Sequence, residues 1–201
     1  METITSIIIG IGLSAACGFR VFVPLLIMSI ASLSGHLHLA HGFEWIGSYP
    51  ALVAFSVATA LEIAGYYIPW LDHLLDTIAS PAAIVAGTVA TASIVTDMSP
   101  LLRWSLAIIA GGGAAGLVQG TTVGTRGLSL VGTGGLANPL ISTLELVGAV
   151  VTSTLAILVP VAAAIFVAVF LLVVGRKVYR RSRNATTAQA QKPVKSGIAR
   201  A

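Results

Sequence analysis

Apolar residues run almost unbroken along this chain, and polar residues interrupt them at only a few places. The apolar runs cover residues 4–34, 50–69, 81–96, 101–133 and 138–175. A helix needs about 20 such residues to cross a bilayer. At about 1.5 Å per residue the first, fourth and fifth runs are too long for one simple span. Each of those three must tilt, break or hold more than one segment. The pattern predicts an all-α integral membrane protein of about six transmembrane segments. They are 4–34, 50–69 and 81–96 in a first half, then 101–133, 138–155 and 156–175 in a second.

The two halves echo one another. Residues 10–20 read GIGLSAACGFR and residues 116–126 read GLVQGTTVGTR. Gly10 then matches Gly116, Ser14 matches Gly120, Gly18 matches Gly124 and Arg20 matches Arg126. Further on, TALEIAG (59–65) matches STLELVG (142–148), which sets Glu62 on Glu145 and Gly65 on Gly148. Two matches in the same order predict an internal repeat. The domains are a membrane repeat over 1–96, a second over 101–175, and a tail over 176–201. If each half crosses an odd number of times, the repeats are inverted, an architecture common in transporters with broken helices. An extra crossing in each first segment would make them parallel.

Glycine spacing sharpens the prediction. Gly112, Gly116, Gly120 and Gly124 recur every fourth residue, and Gly10, Ser14 and Gly18 make a shorter stripe. Small-xxx-small stripes let helix backbones approach closely in lipid. The two stripes are therefore expected to pack, with close contact along all four glycines of the longer one. Gly127, Gly132, Gly134 and Gly135 follow closely, so the helix is expected to break near Gly124–Gly127. Unwound backbone at membrane depth is tolerated where protein buries it or where it lines a cavity.

Composition strengthens the membrane reading. The 201 residues are 56% hydrophobic and 9% charged, against about 25% charged in soluble domains. Mean hydropathy is +0.96. The overall charge of +4 is unevenly placed. Up to residue 175 three Arg (Arg20, Arg103, Arg126) face seven acids, a net of −4, and the tail carries eight Lys/Arg and no acid, a net of +8. A basic block directly after the last span follows the positive-inside rule. It predicts a cytoplasmic C-terminus on a disordered tail of low hydrophobicity, and it removes the reason to expect a nucleic-acid partner. The single cysteine, Cys17, excludes an intrachain disulfide. The start METITS lacks the positive n-region of a signal peptide, so residues 1–34 are expected to be retained.

Ionisable residues inside the apolar runs carry the candidate chemistry. An arginine at membrane depth costs at least about 2.5–3.5 kcal/mol on insertion scales and needs a partner or a wet cavity. Arg20 and Arg126 have Glu62 and Glu145 as partners on offer, one of each per half. The four either lock the fold as buried ion pairs or border a central polar cavity near the midplane. In that second case Arg holds an anion and Glu carries a proton or cation. In WLDHLLDTI, Asp72 and Asp76 share a face of a short helix that either lies in the interface or, with His73, forms a cation-attracting vestibule, so both acids join the candidate solute or ion path. His36, His38, His41 and Glu44 lie in a loop without the converging ligands a metal site needs. Trp45, Tyr49, Tyr66, Tyr67 and Trp70 suit an aromatic belt.

GLSAACGFRVFVPLL (12–26), ALEIAGYYIPWLDHLLDTI (60–78) and LANPLISTLELVG (136–148) together resemble the bacterial membrane-protein family named domain of unknown function 4126. The resemblance covers nearly all of residues 5–175. Its features fall on Gly18, Arg20, Glu62, Pro69, Asp72, Asp76, Asn138, Pro139, Ser142 and Glu145. It adds Asn138 and Ser142 to the candidate path and implies no activity. Members often carry an acid–base pair where this chain has Tyr66-Tyr67. GFRVFVPLL (18–26) is also similar to a short arginine motif of DedA-type polyprenyl-phosphate carriers, which supplies a lipid phosphate as an alternative substrate.

No H-E-x-x-H, Walker loop or nucleophile elbow is present, so an enzyme is not expected, nor a metal or cofactor. The expectation is a multi-pass protein of the bacterial inner membrane. It is either a transporter or channel for a small ion or anionic solute, or a structural or assembly protein without transport. Its partner is the lipid bilayer, and self-association is left open.

Overall fold

The computed structural model of the protein describes residues 2–66, 68–134, 136–173 and 176, with the side chains of residues 2, 69–74 and 133 set aside. The expected disordered tail therefore lies outside the described residues, Arg176 excepted. Among the described residues the chain is helical and has no strand. The helices are α1 (Glu2–Cys17), α2 (Phe22–Leu33), α3 (Tyr49–Gly65), α4 (Pro69–Ile94), α5 (Pro100–Leu106), α6 (Gly113–Thr133), α7 (Asn138–Leu158) and α8 (Pro160–Val173). A 3-10 turn, Glu44–Gly47, precedes α3, and a π-helical stretch, Ala107–Gly112, joins α5 to α6 without a gap.

Proline and glycine set most of these ends. Proline falls in the first turn of α3, α4, α5 and α7, where its missing N–H has no partner to lose. Pro160 divides α7 from α8, and Val159 before it has left helical geometry (φ −141°). Gly134 ends α6 in the left-handed region (φ 63°), a conformation that favours glycine.

Three stretches are long and apolar enough to cross a membrane: Leu75–Ile94, Pro100–Gly132 and Asn138–Leu158. Thr3–Cys17, Phe22–Leu33, Tyr49–Gly65 and Pro160–Val173 are shorter apolar helices. The outer surface is apolar, with Ile109, Leu136 and Val131 at 76%, 87% and 89% exposure, while Arg20, Glu62, Arg126 and Glu145 are buried. Apolar residues facing out and charges facing in suit a lipid environment.

Three expectations are corrected. The first run breaks at Gly18–Val21, one of the three outcomes open to it, but α6 passes through Gly124–Gly127 without the break expected there. The helix there keeps its backbone bonds, and the buried Arg126 within it reaches Glu145 and Asp76 through its side chain without unwinding. The irregularity lies earlier, at the π-helical stretch.

The second correction concerns the glycine stripe. A Cβ on Gly112 or Gly116 would touch α4 at Thr88 or Ile84, but nothing lies within 4 Å of a Cβ on Gly120 or Gly124. Each residue turns the helix by about 100°, so a strict four-residue repeat drifts about 40° per step. By Gly124 the stripe has wound out of the interface. The buried face instead follows Gly111, Ala115, Val118, Thr122 and Arg126.

Against this face α1 brings Ser14 and Gly18, while Gly10 packs elsewhere. The Ser14 hydroxyl donates to the Gly111 carbonyl, and a Cβ on Gly18 would meet the Ala115 carbonyl. Gly10 lies against Thr91 of α4, whose hydroxyl donates to the Gly10 carbonyl at 3.0 Å. Gly87 of α4 completes the crossing beneath Ser14 and Ala115.

The third correction is in α4. WLDHLLDTI does not form a separate interfacial helix. It is continuous with the following span through Pro81.

Candidate functional site

The break between α1 and α2 creates the site. α1 closes with the N–H groups of Gly18, Phe19 and Arg20 bonded back to Ala15 and Ala16. The new helix α2 then starts with free N–H groups and with Val21 at its cap, whose side chain has no acceptor. Glu62, in the last turn of α3, supplies what valine lacks. Its Oε1 accepts from the Val21 N–H at 2.8 Å and its Oε2 from the Phe22 N–H at 3.1 Å. A carboxylate at a helix N-terminus is favoured by both hydrogen bonding and the helix dipole.

Arg20 leaves the same break toward α7. Its Nη2 donates to the Ser142 carbonyl at 3.0 Å and to the Ser142 hydroxyl, and stands 4.0 Å from Glu145 Oε2. Its Nε and Nη1 are buried and have no hydrogen-bond partner. Arg126 is held quite differently. Its Nε donates to Glu145 Oε1 at 3.0 Å, its Nη2 to Glu145 Oε2, and its Nη1 to Asp76 Oδ1 at 2.8 Å. Fork-to-fork pairing of this kind is the strong form of an Arg–carboxylate contact. The Tyr66 ring lies under both cations, with its centroid 3.9 Å from Arg20 Cζ and 4.1 Å from Arg126 Cζ. Aromatic faces attract cations most where water is excluded. Arg20 and Arg126 are only 2% and 5% exposed, and Glu62 and Glu145 only 8% and 5%.

The structure thus brings Arg20, Glu62, Arg126, Glu145, Ser142 and Asp76 together, six of the residues that the sequence put on the candidate path. Asn138 opens α7 and is buried. Asp72 lies one turn before Asp76 in α4, but its side chain, like those of Trp70 and His73, falls outside the described residues, as do Tyr67 and Gly135 entirely.

The site is built largely at helix ends. Glu62 stands in the last turn of α3, Ser142 and Glu145 in the first two turns of α7, so the cluster lies toward one end of the bundle. The matched residues of the two halves also differ locally. Arg20 is at a break and Arg126 inside a helix, while Glu62 ends one helix and Glu145 nearly begins another. A cleft of about 170 Å³ reaches the cluster, lined by Phe19, Thr122, Thr125, Ile141, Leu144, Glu145 and Phe170. It is mostly apolar, and Glu145 is the one member of the charged cluster on its wall.

One participant was assigned elsewhere by the sequence. Tyr66 was placed in an aromatic belt, although it lies four residues after Glu62 and therefore on the same helix face. For Asp76 the sequence left an interfacial helix and a vestibule on the path both open; its place beside Arg126 follows from α4 running unbroken over Pro69–Ile94. At the far end of the bundle, His41 and Glu44 form an exposed pair at 3.0 Å, and Trp45 and Tyr49 are exposed. Among the described residues no group of three or more His, Cys, Asp or Glu is placed to hold a metal.

No curated protein and no solved structure matches the chain. One family model does, over residues 7–180. By that match, and with a buried Arg/Glu cluster inside an apolar helical shell, the chain belongs to the family described as domain of unknown function (DUF4126).

Proposed function

We propose that this protein is a small transporter or channel in a bacterial inner membrane, and that an anionic group of its solute binds at Arg20. The observation that carries the proposal is the contrast between the two arginines. Every guanidinium nitrogen of Arg126 has a carboxylate partner, whereas Arg20 keeps two donors buried and unfilled. Burying an unsatisfied donor costs about 1–3 kcal/mol, more for a charged one. An acceptor brought by a solute would remove that cost. The planar fork of arginine suits a carboxylate or phosphate oxygen. A lipid phosphate is the larger version of the same ligand.

In this reading the seven apolar helices, long and short, are arranged as about six crossings built from two repeats, and the basic tail stays in the cytoplasm. A reporter fused after Arg183 should be active only in its cytoplasmic form; activity confined to the outside would overturn the orientation.

The transport test is flux of chloride, phosphate and acetate into vesicles holding the purified protein. Arg20→Lys should lower flux at least tenfold by losing the planar fork. Glu62→Gln retains an acceptor oxygen for the start of α2, so the fold should persist while flux is lost or uncoupled. A second reading has its own support. The saturated, nearly dry Arg126–Glu145–Asp76 contact is what a purely structural lock needs. If the wild type moves none of these anions and both variants lose the folded protein, the structural reading replaces transport.

A further inference from the structure

The cleft beside Glu145 is framed by α6, α7, α8 and the break between α1 and α2. Its walls offer little to water. Phe19, Ile141, Leu144 and Phe170 are hydrocarbon, and the Thr122 and Thr125 hydroxyls both donate within their own helix, to the carbonyls of Gln119 and Thr121. Its mouth lies on an apolar flank. Leu144 on the wall is 63% exposed, and Leu140 and Val147, on the same face of α7, are 65% and 53% exposed. Both α6 and α7 belong to stretches long and apolar enough to cross a membrane. A mouth on such a flank meets acyl chains, since the bilayer core holds no water.

Glu145 is the inner, charged end of this cleft, and both its oxygens accept from Arg126. Arg20 is off the wall but directly next to it. Its Nη2 stands 4.0 Å from Glu145 Oε2, and a single peptide bond joins it to Phe19, which is on the wall. The Phe19 ring meets Phe170 edge-on at 4.8 Å, packs with Ala15, Val118 and Ala149, and lies where a Cβ on Gly148 would come within 3.6 Å. All of these contacts are apolar, so the ring can turn aside without breaking a hydrogen bond. The carboxylates nearest Arg20 are matched to other groups, Glu145 to Arg126 and Glu62 to the N–H groups of Val21 and Phe22. Among the described residues no carboxylate hydrogen-bonds Arg20, and its Nε and Nη1 are open.

We propose that the ligand of Arg20 is an amphiphilic anion, a carboxylate or phosphate head on a hydrocarbon chain, and that it enters sideways from the bilayer through this cleft. The chain lies against Ile141, Leu144 and Phe170, Phe19 turns from the wall, and the head fills the open donors of Arg20. A free hydrated anion would have to shed its water in a cleft with no spare polar group to replace it. A chained anion keeps its tail in apolar surroundings throughout, and only its head changes environment. Pockets that enclose a whole drug-sized ligand measure about 300–1,000 Å³. At about 170 Å³ this cleft takes a stretch of one chain and leaves the rest in lipid. The inference rests on the anion-binding reading of Arg20 and names its substrate class.

The test uses the full chain in phosphatidylcholine vesicles and electron spin resonance. Nitroxide-labelled stearate, its neutral methyl ester and labelled phosphatidic acid are compared, at a pH that ionises the acids, by the fraction of label immobilised on the protein. Stearate and ester share one chain, so their difference reports the head. Stearate, phosphatidic acid or both should be held at least tenfold more strongly than the ester, and which of them is held tells a carboxylate from a phosphate ligand. The preference should persist in high salt, which screens the exposed basic tail far more than a buried site. Arg20→Gln should abolish it. Thr125→Phe narrows the cleft, leaves Arg20 and its partners in place, and should abolish it too, whereas Leu140→Phe outside the cleft should not. If Arg20→Gln fails to fold, Thr125→Phe decides. Equal retention of acids and ester, a preference that salt removes, or one that survives Thr125→Phe would each overturn the proposal, while anion flux that depends on Arg20 would still leave the transport reading standing. Acetate or inorganic phosphate that displaces the label at equal concentration would keep the anion site and sink the chained ligand. A preference lost in Thr125→Phe but kept in a folded Arg20→Gln would remove the anion from Arg20 and overturn both readings.

Discussion

Replacing Gly18 by alanine should destabilise this protein, and the same change at Gly120 should not. A Cβ at position 18 would stand 2.6 Å from Val118 Cβ and 3.0 Å from the Gln119 backbone nitrogen, and closer still to the Ala115 carbonyl oxygen. Two of these three neighbours are main chain of α6, which cannot swing aside as a flexible side chain would. Relief requires α1 and α6 to separate, and Arg20 moves with that separation because it follows two residues later. Overpacking of one methyl into a tight contact costs about 1–3 kcal/mol. Gly120 lies on α6 with nothing within 4 Å of its Cβ, so alanine there meets no obstacle. It gains helix propensity instead, by about 0.8–1 kcal/mol. The two variants should therefore differ by about 2–4 kcal/mol. For chains of this length that is roughly 5–15 °C in Tm. Thermal unfolding of both variants in one detergent, followed by circular dichroism, makes the comparison. If Gly18→Ala melts with the parent, or Gly120→Ala falls as far as Gly18→Ala, the assignment of the buried face of α6 is wrong.

Two further outcomes follow from the charged groups. Glu145→Gln removes the bidentate partner of a buried arginine and should cost about 3–5 kcal/mol, whereas Asp76→Asn loses one contact at a carboxylate that is 14% exposed and should cost about 1–2 kcal/mol; equal losses in the same melting assay would contradict the ranking. In the far loop the Glu44 carboxyl is held below its ordinary range, first by its own backbone N–H and then by His41. Its contribution is present above the unfolded-state pKa and fades as pH falls through the depressed folded one. His41→Ala should raise the Glu44 titration only part of the way to normal, read by carbon NMR of that carboxyl; a full return would make His41 the main cause.

What the sequence determined by itself was the environment and the inventory. Long apolar runs, rare charges and a basic end specify helices in lipid, because backbone groups there have no water and must bond within their own segment. The same logic singled out Arg20, Glu62, Arg126 and Glu145, since a charge at depth needs a partner wherever it sits. The sequence reading divided the last run at 155/156, and Pro160 moves that division to Val159. The tertiary structure alone decided which groups meet. Glu62 turned from an expected arginine partner into the cap of α2, because the break at Gly18–Val21 exposes two N–H groups beside it. Asp76 reached Arg126 because α4 continues through Pro81 and brings its first turns to the cluster. The glycines at positions 120 and 124 left the interface because a four-residue repeat winds around a helix of 3.6 residues per turn. Partner choice depends on helix register across distances in sequence of 19 to 122 residues, and register is set by how whole helices pack. A pattern read along one chain carries no information about that rotation, which is why the residues were legible and their pairings were not.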